Sequence, residues 1–136
     1  IARVQICNAL FWYMEYVNTE EVVLRLVFLV SALDSFFPPR KNTVTNAKTI
    51  PTVVEKAPQI AELTSDTEQE KQAHISTIEK LYSVRNEVIH GKLEILDYSK
   101  TNREKNEYYA ELGQEAHKIL VKYMRQRIVK FNKSTQ

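Results

Sequence analysis

The stretch Leu81-Tyr82-Ser83-Val84-Arg85-Asn86-Glu87-Val88-Ile89-His90-Gly91 decides how the chain is read. Continued upstream as a helix, it places Ile75, Ile78, Leu81, Tyr82, Val88 and Ile89 on one apolar stripe at helical spacing. Arg85 falls inside that stripe. A guanidinium cannot shed its proton to escape burial, so this position calls for an anionic partner or a wet cleft. Asn86 and His90 are four apart and so neighbours on one helix face. His90 sits about 140° around the helix from Arg85, at 100° per residue, an offset that a long arginine can bridge at a pocket edge. Gly91 is placed to close the helix in a left-handed conformation.

Composition agrees with a helical reading. The 136 residues are the size of one domain, and 43% hydrophobic residues are enough for a core. Two glycines and four prolines argue against a loop-rich or all-β chain. The expected fold class is all-α, with about four to five helices. A net charge of +2 excludes a global polycation. The single Cys7 excludes an internal disulfide and fits a reducing compartment, so a cytoplasmic location is expected. The longest apolar run, residues 26–33, is interrupted only by Ser31 and bounded by Arg25 and Asp34. It is far short of the about 20 apolar residues a bilayer span needs, and no secretory signal is read, so no membrane association is expected. The chain starts at Ile1 already in helical pattern, which suggests a piece of a longer protein.

Along the chain, residues 3–17 carry Val4, Ile6, Leu10, Phe11, Trp12, Tyr13, Met14 and Val17 on nearly all sides. Such a helix either packs on more than one side or turns a surplus apolar face to another subunit. Thr19 is the expected cap of a second helix, with Glu20 and Glu21 favoured at its positive end. Its buried stripe reads Val23, Leu26, Val27, Val30, Leu33 and Phe37, and Pro38-Pro39 ends it. Asp34, at the stripe's edge, is either half-solvated and inert or orients Arg85 or His90 through a charge-assisted bond. Residues 38–64 read as an irregular loop or short-helix insertion, with Pro51 a possible helix start and Pro58 a break. Arg40, Lys41 and Lys48 form a small basic patch there, solvated surface or an RNA contact. Ser65-Asp66-Thr67-Glu68 has capping-box spacing and starts the helix that runs into residues 81–91. His74, near its apolar face, reads as structural. Residues 92–100 read as a connector, and Thr101-Asn102-Arg103-Glu104 as a second capping box. The last helix places Tyr108, Leu112, Ala116, Ile119, Leu120 and Tyr123 on one side and Lys118, Lys122 and Arg125 on the other. After Glu115 there are six cations and no acid, either a solvated helix end or a phosphate-tracking surface.

The string Arg85-Asn86-Glu87-Val88-Ile89-His90, with Leu81-Tyr82 before it and Gly91 after it, resembles the signature of the HEPN family, in particular its Apea-like branch. Leu29-Val30-Ser31-Ala32-Leu33-Asp34-Ser35-Phe36-Phe37 resembles that branch's second recurrent segment, an apolar helix carrying Ala-Leu-acid. The resemblance extends in pattern and order over residues 20–131. It implies a HEPN-like up-and-down helical bundle, a face-to-face homodimer and a composite RNA-cleaving site, with roles in phage defence and abortive infection, toxin–antitoxin systems or stress responses. An antitoxin or a further domain of the parent chain is then an expected partner, beside RNA.

Other chemistries find no support in the sequence. Three histidines and one cysteine show no metal-ligand spacing, Gly91 and Gly113 make no phosphate loop, and no cofactor is expected. Arg85, Asn86 and His90 suit phosphodiester chemistry on RNA without a metal. His90 can act as general base on a ribose 2′-hydroxyl, Arg85 can stabilise transition-state charge, and Asn86 can orient the imidazole or a phosphate oxygen. Asp34, Tyr82, Lys92, Arg40 and Lys41 are the candidate orienting or RNA-contacting residues. Transfer from the 2′-hydroxyl needs both a base and an acid, yet each chain offers one such histidine. A two-fold pair would supply both. Two non-catalytic alternatives stay open: a dimerisation or nucleic-acid-sensing module attached to another effector, and an accessory domain of a nucleotidyl-transferring partner.

Overall fold

The computed structural model describes residues 2–92 and 103–135. Among them are five helices, α1 (Ala2–Val17), α2 (Val22–Asp34), α3 (Val53–Thr64), α4 (Glu68–Ile89) and α5 (Arg103–Ser134), and one two-stranded hairpin, β1 (Arg40–Lys41) and β2 (Lys48–Thr49). The molecule is an all-α helical bundle, as its sparse glycine and helical periodicity require. No helix among the described residues is long and apolar enough to cross a membrane.

The central helix is α2, which touches α1, α4 and α5. It buries Val23, Leu26, Leu29, Val30, Ala32 and Leu33. That is wider than one stripe, as expected of a helix with neighbours on several sides. Phe36 rather than Phe37 completes this face, with its ring edge-on to Tyr123 of α5 at 5.1 Å. A Cβ on Gly113 of α5 would meet Leu26 Cδ2 at 3.3 Å, so the missing side chain lets α5 lie close against α2.

Thr19 does not cap α2. Its hydroxyl donates backward to the Glu15 carbonyl at 2.7 Å, closing α1, and Glu21 becomes the N-cap without a side-chain bond. The cap of α4 lies two residues beyond the expected Ser65. Thr67 Oγ1 accepts the Glu70 N–H at 3.1 Å, and Glu70 Oε1 accepts the Asp66 N–H at 3.2 Å. Thr67-Glu68-Gln69-Glu70 repeats the same spacing, and Thr67 has the extended backbone a cap needs. On α5 the expected Leu112, Ala116, Ile119, Leu120 and Tyr123 are buried, but Tyr109 takes the place of Tyr108, which is 46% exposed. Thr101 and Asn102 of the expected second capping box, and residues 93–100 of the connector, lie outside the described residues.

The segment 38–64 divides in two. Residues 40–49 form the hairpin, in which Asn42 Oδ1 accepts from the N–H groups of Val44 and Thr45 and Asn46 takes φ 60°. The rest is α3, a full helix that runs through Pro58 and buries Ala57, Ile60 and Ala61. The bond Pro58 forfeits is to the carbonyl of Val54, a residue 75% exposed, so the loss falls on the solvent side. With α3 packed on α4 and α5, its buried face belongs to the core, while hairpin residues 40–49 are all exposed.

Candidate functional site

The C-terminal end of α2, the first half of α3 and the last two turns of α4 converge on Asp34. Its Oδ1 accepts from Lys56 Nζ at 2.8 Å and from the Tyr82 hydroxyl at 2.5 Å. Its Oδ2 lies 3.5 Å from Arg85 Nη1. Lys56 is 3% exposed, its ammonium 4.7 Å from the Tyr82 ring centroid. The Arg85 guanidinium lies 5.5 Å from the same centroid. The phenol ring thus lies beside both cations that share the carboxylate. Burial, reinforced by the Asp34 charge and bond, pushes the Tyr82 hydroxyl far above its ordinary value, so it stays a donor.

Arg85 therefore does occupy an apolar stripe, and Asp34 is its ion-pair partner at 3.5 Å. Its side chain retains 26% exposure, and its Nε is buried without a hydrogen-bond partner. Two cations against one carboxylate leave the cluster with one excess positive charge. The cluster has spare capacity for a further anion at the Arg85 edge.

Lys56 was not anticipated. Its signal is the one that exposed Arg85: a cation four residues before Ile60, on the apolar stripe of its own helix. That stripe is visible only once α3 is read as continuous through Pro58.

Asn86 and His90 are exposed and face solvent rather than the Asp34 cluster. His90 is the C-cap of α4, with φ −85° and ψ 8°. Gly91 follows at φ +70°, its N–H bonded to the Val88 carbonyl at 3.1 Å, while the Lys92 N–H reaches the Glu87 carbonyl at 2.8 Å. These two bonds are the Schellman closure, and they fix the helix end from which His90 projects. Ile89, expected on the apolar stripe, is 63% exposed, and Val84 is buried in its place. Residues 89–92 are all exposed, because the last turn runs past the packed part of α4.

Lys92 is exposed just beyond that turn. Arg40 and Lys41 lie on the hairpin, where Lys41 pairs across the strands with Lys48. The exposed Arg40 guanidinium lies 4.0 Å from Glu55, the residue before Lys56 on α3. The structure thus joins Asp34, Tyr82 and Arg85 in one cluster, with Asn86, His90 and Lys92 on the adjoining open end of α4. Comparison with family models, with curated proteins and with solved structures finds no match to the chain.

Proposed function

We propose that the chain is a HEPN-like endoribonuclease domain that cleaves RNA without a metal, through a composite site formed by two copies in a defence, toxin or stress response. The observation that carries this reading is the end of α4. There an exposed imidazole and an exposed carboxamide stand one turn apart, next to an arginine held at the edge of a cluster with excess positive charge. His90 removes or returns the proton of the 2′-hydroxyl or the leaving oxygen. Arg85, oriented by Asp34 and Tyr82, stabilises charge on the phosphorus oxygens. Asn86 holds a phosphate oxygen or the imidazole. Lys92, Arg40 and Lys41 offer cations to the flanking backbone. Paired motifs supply one histidine as base and the other as acid. RNA and a second copy are the partners on this reading, with an antitoxin or a further domain of the parent chain as the source of control.

Labelled RNA incubated with the purified chain in excess EDTA tests the proposal. Wild type is expected to cleave and His90→Ala to lose cleavage while keeping its melting temperature. Arg85→Ala is expected to lose cleavage as well, with Arg85→Lys as the variant that keeps the ion pair. Absence of chelator-resistant cleavage in wild type overturns the enzymatic reading. One observation favours a second reading, a non-catalytic dimerisation or nucleic-acid-sensing module: Asp34 already partners Arg85, which gives the arginine a structural occupation. RNA binding without cleavage supports that module.

A further inference from the structure

Arg25 stands one turn into α2, its N–H bonded to the carbonyl of the N-cap Glu21 at 2.9 Å. A cation there faces the positive end of the helix dipole. The first turn of α2 holds no acid to offset it, and Glu21 makes no side-chain cap. Among the described residues no carboxylate forms an ion pair with Arg25. Its guanidinium lies 4.3 Å from the Tyr16 ring centroid, and its Nε is buried with no hydrogen-bond partner. Arg25 is half-buried: its Nε has lost water, and its guanidinium has a ring face on one side and no anionic partner among the described residues.

The guanidinium borders a cavity of about 260 Å³ lined also by Tyr16, Tyr109, Gln114 and His117. His117 Nε2 bonds the Tyr13 hydroxyl at 3.0 Å. Burial, aided by the Arg25 charge, lowers the affinity of His117 for a proton. Arg25 is the charged residue of the cavity lining, whose other polar groups are neutral hydroxyl, carboxamide and imidazole. Burial, with the charge of the Glu87 carboxylate outside the lining, raises the Tyr109 hydroxyl above its ordinary value. A planar fork of donors with an unmatched charge suits an oxyanion. The volume is below the roughly 300 Å³ at which drug-sized pockets begin, so the occupant is small.

We infer that this cavity binds a small oxyanion, the phosphate or carboxylate group of a low-molecular-weight ligand, on Arg25 with Tyr109, Gln114 and His117 as neutral partners. The site is separate from the Asp34 cluster. Arg25 and Asp34 lie nine residues apart on α2, about 13 Å along its axis and roughly half a turn around it.

Titration of the ¹⁵N-labelled chain at constant ionic strength tests the inference, with inorganic phosphate in one arm and succinate in the other. The Arg25 Nε–H and Gly113 amide signals are expected to shift saturably in at least one arm. Saturation with phosphate alone identifies a phosphate ligand, with succinate alone a carboxylate, and with both a site for the shared oxyanion chemistry. Arg25→Gln is expected to weaken the interaction at least about tenfold. Arg3→Gln, which removes the same charge from exposed α1, is expected to bind as wild type does. Should Arg25→Gln fail to fold, Arg25→Lys keeps the charge but loses the fork, and it too is expected to bind more weakly. Non-saturating shifts in both arms of wild type, or equal weakening by Arg3→Gln, overturn the inference.

Discussion

Asp34 places three donors on two oxygens, and its removal would harm those donors unequally. Lys56 is almost wholly buried, and without Asp34 its ammonium would face only the Tyr82 ring. Arg85 would be left with its Nε already unsatisfied. Stranding a buried charge costs far more than the intact pair contributes, because desolvation remains after the attraction is gone. Asp34→Ala is therefore expected to destabilise the fold by about 2–3 kcal/mol, below the full cost of a buried pair because Asp34 is itself 29% exposed. Lys56→Met is expected to cost less than about 1 kcal/mol, since Asp34 keeps Arg85 and Tyr82 and the buried stem is replaced by an apolar one. Urea midpoints of the two variants measure this asymmetry, and equal losses would contradict it. Tyr82 adds a pH signature. Its folded-state value is raised, so its contribution is complete below the ordinary value of 10.0 and is lost as pH climbs above it, where the unfolded chain ionises first. Denaturant unfolding between pH 9 and 11 is expected to show falling stability, with a shallower fall in Tyr82→Phe.

At the level of elements, helix identity was legible wherever local chemistry alone decides it. The Gly91 closure belongs to that class, since it depends on backbone geometry within a few residues, whereas α2, expected to run to Phe37 before Pro38, ends at Asp34. Choices between neighbours were not legible. Ser65 or Thr67 as the cap, Tyr108 or Tyr109 as the buried ring, and Ile89 or Val84 on the α4 face depend on where the neighbouring helix lies. The Asp34 cluster was half legible. The misplaced Arg85 announced itself, but its link to Lys56 required α3 to be docked. Two histidines show the same dependence on docking. His74 Nδ1 joins Thr64 Oγ1 at 2.9 Å between α4 and α3, and His117 joins Tyr13 between α5 and α1. Burial lowers both below their ordinary value of 6.5, aided by Lys122 at His74 and by Arg25 at His117, while Glu70 opposes the shift at His74. Folded-state values below the unfolded ones mean that stability is complete above pH 6.5 and is lost as pH falls through the folded values. Urea midpoints at pH 7.5 and 5.5 are expected to differ, the lower pH being the less stable. His117→Phe keeps a ring beside Tyr13 and Tyr16 and is expected to narrow that difference, and an unchanged difference would remove His117 from the account.

The whole molecule presents two unlike faces, and they bear on how two copies would meet. Helix α1 packs on α2 and α5 and touches neither α3 nor α4. Its outward side exposes Val4, Leu10, Phe11, Met14 and Val17, each between 41% and 60%. Cys7 is exposed on the same helix, and Val4, Cys7, Phe11 and Met14 follow the alternating three- and four-residue spacing of a coiled-coil seam. That stripe is the surplus apolar face of α1, and because α1 does not touch α4, association through it is not expected to bring two His90 side chains together. A composite ribonuclease site requires the other face, where Ile89 is 63% exposed next to His90. The two surfaces can be separated by charge. On the proposed ribonuclease reading, Ile89→Glu would put like charges opposite each other at a two-fold contact through the α4 end, and it is expected to abolish RNA cleavage with little change in melting temperature. Phe11→Glu is expected to lower concentration-dependent association in sedimentation velocity and to leave the cleavage rate per chain within about twofold, since α1 does not reach α4. If Phe11→Glu instead removes cleavage and Ile89→Glu spares it, the active assembly is built through α1, and a site that relies on two His90 side chains meeting over one phosphate must be given up.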